Sequence, residues 1–189
     1  MAAGKRVKSG AAWALAVLAA TSHAAEVRPV VVAGYDAGGD SLIGLTYTSG
    51  NTDSIRANEG LYAGAGVSVL NDAGNIEFQG TLSVKYMALH ADNGGVTWLR
   101  YPLDALLFYR MRGFRMGGGL TYVIAPRLKG SGELSNIDTK LDNAAGAVLQ
   151  ADYLLERVNL GVRYTILDYK IGGNTIKSSG VGVSFGFAF

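Results

Sequence analysis

The 189-residue sequence predicts an all-β fold, an eight-stranded antiparallel up-and-down transmembrane β-barrel. Three observations lead there. Runs of alternating bulky apolar and small or polar residues recur along the chain. The connections between them are alternately short and mostly longer. Aromatic rings stand eight residues apart on the greasy face of three successive runs.

The first element is a leader. Lys5, Arg6 and Lys8 precede the apolar stretch AAWALAVLAATS, and Ser22-His23-Ala24 then supplies small residues for cleavage after Ala24. Those twelve residues are too few for an anchoring helix, which needs about 20. The expected domains are a signal peptide at 1–24 and a barrel at 25–189. Removing the leader's three basic residues leaves 14 Lys+Arg against 15 Asp+Glu, a net charge of −1. That balance argues against a nucleic-acid partner. The absence of cysteine excludes a disulfide framework and a lipid anchor on that residue. Glycine is abundant (27) and proline scarce (3), which favours closely approaching strands over a disordered linker.

Strands are expected near Arg28–Asp36, Gly60–Leu70, Ile76–Ala88, Thr97–Tyr109, Phe114–Ala125, Leu141–Leu154, Val158–Tyr169 and Lys177–Phe189. The short connections are NDAGN, RMRG and LER. The others are residues 37–59, 89–96, 126–140 and 171–177. Short turns at one end and longer loops at the other are the layout of a membrane barrel with its loops outside.

Side chains two apart on a strand share a face. In the third run Ile76, Phe78, Leu82, Val84 and Tyr86 oppose Glu77, Gln79, Thr81, Ser83 and Lys85. In the fifth, Phe114, Met116, Leu120, Tyr122 and Ile124 oppose Arg115, Gly117, Gly119 and Thr121. In the seventh, Val158, Leu160, Val162, Tyr164 and Ile166 oppose Asn159, Gly161, Arg163 and Thr165. Alternation alone also fits a soluble barrel with the greasy set inside, and the aromatics decide between the two. Phe78 and Tyr86, Tyr101 and Tyr109, and Phe114 and Tyr122 are pairs eight residues apart on the greasy face. Eight tilted residues span roughly 20 Å along the axis, close to the spacing of two aromatic girdles around an apolar band about 25 Å tall. The greasy face is therefore expected to meet lipid. The opposite face then gathers a lumen charge network of Glu77, Lys85, Arg100, Asp104, Arg115, Asp152 and Arg163. An eight-stranded interior is just wide enough for side chains to fill it, so these charges should pair and plug the lumen.

The last run ends SSGVGVSFGFAF, with Val181, Val183, Phe185, Phe187 and Phe189 alternating with small residues up to the final carboxylate. At this point the sequence resembles the small eight-stranded outer-membrane barrels of Gram-negative bacteria, the OmpA/OmpX-like group. The resemblance spans essentially the whole chain after the leader. It implies an outer-membrane location, and that the five terminal apolar residues are the assembly signal read by the outer-membrane insertion machinery. It implies little about activity, because such barrels host unrelated functions.

Chemistry is sparse. After the leader His90, beside Asp92, is the one histidine. No G-x-S-x-G motif accompanies it, and no metal-ligand spacing appears, so no catalytic residue, metal or cofactor is expected. Arg56, Arg127, Lys129, Lys140, Lys170 and Lys177 fall near the outer rim, at the height of lipopolysaccharide phosphates, and are candidate contacts for them. Residues 37–59 alternate, turn at Ser49-Gly50-Asn51 and alternate again, as in a β-hairpin whose edge is open to a surface ligand. The leading expectation is a structural or surface-interaction barrel with a plugged lumen. A small-solute pore is the alternative, and a lipid A-modifying enzyme a more distant one.

Overall fold

A computed structural model describes residues 25–46, 52–91 and 94–189. The expected leader, the tip of the first long loop and Asp92 lie outside the described residues. Twelve strands are present among them: β1 (Glu26–Gly38), β2 (Ser41–Thr46), β3 (Thr52–Arg56), β4 (Gly60–Leu70), β5 (Ile76–Ala91), β6 (Gly94–Met111), β7 (Phe114–Gly132), β8 (Asp138–Lys140), β9 (Ala144–Leu155), β10 (Val158–Ile171), β11 (Asn174–Lys177) and β12 (Gly180–Ala188). Eight of them form one ring. β1 pairs with β4, then β5, β6, β7, β9, β10 and β12 follow, and β12 returns to β1, every pairing antiparallel. Closure leaves no barrel edge unpaired, the condition for a sheet that spans a bilayer.

The other four strands build out the loop end. β2 and β3 form the hairpin expected within residues 37–59. β8 adds to β7, and β11 folds back on β10. Expected loops at 126–140 and 171–177 are thus partly strand, and the last ring strand starts at Gly180 because Lys177 pairs with Asp168 instead. β6 and β7 also run on together to Gly94 and Gly132. The proline after Ala125 suggests a stop in sequence, but the chain accommodates it with a bulge. One extra residue of β7 enters the register opposite Leu99–Tyr101, with Ala125 at φ 49. The bulge also shifts the alternation by one: Val123 is buried before it, Pro126 and Leu128 after it.

The outward face is apolar throughout. Leu82, Leu103, Leu107, Met116, Leu120, Leu149 and Val162 are all exposed, with Leu120 at 69%. Water-facing monomers rarely expose contiguous apolar surface of this kind, and it matches a lipid-facing belt. Phe78, Tyr109 and Phe114 ring the short-turn end, with Tyr153 edge-on to Phe114 at 5.0 Å. Tyr86, Tyr122 and Tyr164 ring the other, and Tyr101 shares their outward parity and is half-buried.

Candidate functional site

The lumen is where this fold concentrates polar chemistry. Inward positions place Glu77, Gln79, Thr81, Ser83, Lys85, Arg100, Asp104, Arg115, Thr121, Asp152 and Arg163 out of solvent. Toward the short-turn end, Arg115 lies between two acids. Its Nη1 donates to Glu77 Oε1 at 2.5 Å and its Nε to Asp152 Oδ2 at 2.7 Å. Ser68 and Arg110 complete Glu77, while Gln150 and Ser184 donate to Asp152. The Arg115 guanidinium also lies 4.1 Å above the Phe108 ring, which adds a cation–π contact in a desolvated place.

A second cluster fills the middle. Lys85 Nζ donates to Asp36 Oδ2 at 2.5 Å and to Asn58 Oδ1 at 3.0 Å. Arg163 Nη2 donates to Asp104 Oδ2 at 3.1 Å. Arg100 differs from the other lumen cations in having no carboxylate as its hydrogen-bond partner among the described residues. It donates to the backbone carbonyls of Ala57, at 2.8 Å, and Glu59. Trp98 Nε1 donates to the same Ala57 carbonyl at 3.1 Å. The turn after β3 therefore enters the barrel mouth and is held there by β5 and β6.

Above this turn lies an apolar cap. Ile55, Ala57, Leu89, Val96, Leu128 and Leu167 pack around Trp98, which meets Tyr169 edge-on at 5.7 Å. Its strands continue past the girdle with apolar residues at inward positions, so this end resembles a small soluble core. Two cavities among the lumen side chains measure about 20 and 10 Å³. Each is of the order of a single water, which needs about 10–15 Å³.

Glycines on the inward face make room for the carboxylates. A Cβ at Gly161 would fall 1.9 Å from Asp152 Oδ1, and one at Gly182 would fall 1.8 Å from Asp36 Oδ1. Gly161→Ala should lower stability by about 1–3 kcal/mol through overpacking, as read from urea unfolding in lipid vesicles. Unchanged stability would mean that the acid and the Ala151 carbonyl, 2.4 Å from the added Cβ, both give way.

The lumen set expected from sequence is thus split into two clusters by the structure. Asp36, Asn58, Arg110 and Gln150 join it and were missed. Asp36 shares parity with inward Val30, Val32 and Gly34, a signal that was present in sequence.

At the outer rim Arg127 binds Asp138 through two hydrogen bonds of 2.7 and 2.5 Å. This guanidinium holds the Asp138 carboxyl below the usual range, although the pair is exposed and adds little to stability. Register places Arg127 opposite Lys140 and Lys129 opposite Asp138, and Lys170 on β10 accepts from the Asp142 amide. Arg56 and Lys177 lie elsewhere, on either side of Asp40: the Lys177 amide donates to its carboxylate, and its carbonyl accepts from Ala57 after Arg56. His90 is exposed near the end of β5, and no cluster of three or more metal-ligating residues occurs among the described residues.

Ring, girdles and polar interior define a small eight-stranded barrel of the type found in Gram-negative outer membranes. No family model matches the sequence, and no curated protein does. Among solved structures the chain is similar to Ail, the attachment invasion locus protein of Yersinia pestis, solved with the heparin analogue sucrose octasulfate. The TM-score is 0.52 at 9% identity, covering 87% of this chain and 99% of Ail. It is also similar to Neisserial surface protein A, at TM-score 0.48 and 12% identity, covering 88% of this chain and all of that one. At these identities the likeness to Ail concerns the fold.

Proposed function

We propose that the protein is an outer-membrane barrel with a structural or surface-interaction role and a lumen closed to solutes. The observation that carries this reading is the lumen itself, crossed by ion pairs and capped by the turn at Ala57–Glu59. Function then belongs to the outer end, where the β2–β3 hairpin and the β6–β7 extension rise above the girdle. Lys129, Lys140 and Lys170 are exposed there and suit phosphate or sulfate groups, whether on lipopolysaccharide or on a polyanion of the kind bound by Ail.

A deletion strain tests this reading against the pore and the lipid A-modifying enzyme. Altered adhesion, with unchanged small-solute uptake and unchanged lipid A mass, is the expected result. Slower uptake would favour the pore, and a lipid A mass shift the enzyme.

Assembly follows the same logic. β12 closes the ring, and Phe189 packs edge-on against Phe187 at 5.0 Å while its amide donates to Pro29. If the terminal aromatic ladder is the insertion signal, Phe189→Asp should leave unfolded precursor in the periplasm. Normal surface levels with intact heat-modifiable gel mobility would refute that role.

A further inference from the structure

Five buried side-chain atoms in the middle of the lumen lack a hydrogen-bond partner among the described residues: Asp36 Oδ1, Asn58 Nδ2, Asp104 Oδ1, Arg163 Nε and Thr165 Oγ1. All five residues line the same cavity of about 20 Å³. Buried polar groups left unsatisfied are costly, and these five converge on one small space. Arg163 Nε and Asp36 Oδ1 lie 3.9 Å apart, too far for a direct hydrogen bond and within reach of a shared bridging atom.

We propose that a single water molecule is a fixed part of this barrel and binds at that junction. The chemistry of the five atoms selects it. Two are carboxylate oxygens that can only accept, two are N–H groups that can only donate, and the hydroxyl can do either. A chloride ion would satisfy the N–H donors but face both carboxylates. A metal cation would satisfy the carboxylates but face Arg163 and Asn58. A water donates twice and accepts twice, and so answers both kinds at once. The volume agrees: about 20 Å³ exceeds the 10–15 Å³ or so that one water requires.

The water completes the wiring of the lumen. Direct bonds join Lys85, Asp36 and Asn58 in one group and Arg163 with Asp104 in another. A molecule bonded to Arg163 Nε and Asp36 Oδ1 merges them, so that β1, the mouth-closing turn, β5, β6 and β10 share one network.

Crystals of the folded protein, one set soaked in bromide and one in rubidium, test this. The expected result is one electron-density peak within hydrogen-bond distance of Asp36 Oδ1, Asp104 Oδ1 and Arg163 Nε, with no anomalous signal from either ion. Direct contacts that close the cavity with no peak would overturn the proposal. So would bromide or rubidium anomalous density at that point.

Discussion

Arg115→Leu should destabilise the folded barrel by about 3–5 kcal/mol, because it leaves buried Asp152 without a cationic partner and takes one of two from Glu77. Glu77 would keep Ser68 and the partly exposed Arg110, while Asp152 would keep the neutral donors Gln150 and Ser184. The loss should fall when Asp152→Asn is added, since the second change removes the charge left uncompensated. Arg157→Ala, in the exposed turn before β10, serves as the control and should stay within about 0.5 kcal/mol of wild type. Urea unfolding in lipid vesicles measures all three. Equal stability of Arg115→Leu and Arg157→Ala would mean that water, rather than Arg115, compensates the acids.

The second large effect belongs to the other face. Leu120 is 69% exposed at mid-band on β7, and its neighbour Thr121 is buried in the lumen. Leu120→Arg places a charge in the apolar belt and should cost about 2–4 kcal/mol. Leu120→Val should cost far less, since it remains apolar and meets only lipid. Refolding into vesicles followed by unfolding titration separates them. If the arginine and valine variants were equally stable, this surface would not face hydrocarbon.

The parts of this structure legible in sequence are those governed by local periodicity. Alternation of two fixes which side chains share a face, so the lipid-facing set from Ile76 to Tyr86, the lumen set from Glu77 to Lys85 and the aromatic spacing could all be read in advance. The hairpin within residues 37–59 was legible for the same reason. Partner choice was not. Asp36 and Lys85 are 49 residues apart, Glu77 and Arg115 are 38, and Asp104 and Arg163 are 59. Which inward acid meets which base depends on stagger and on chords across the ring, and neither leaves a trace in a single strand.

The strand ends erred for two different reasons. Ala125-Pro126 looked like a stop, but a bulge carries the strand through it. Beyond the girdle the inward residues turn from charged to apolar, as at Val96, Trp98, Leu128 and Leu167, and that change marks the cap. It was visible as a pattern, yet lipid-face reasoning treats apolar inward residues as filler.

The central claim is that paired charges and the inserted turn close the lumen. Current across a planar bilayer containing purified wild-type protein tests it most directly. A closed barrel gives a flat baseline at either polarity, with no steady open level. Steady nanosiemens-scale conductance would show a continuous water path past Arg115 and Arg163, and would contradict it.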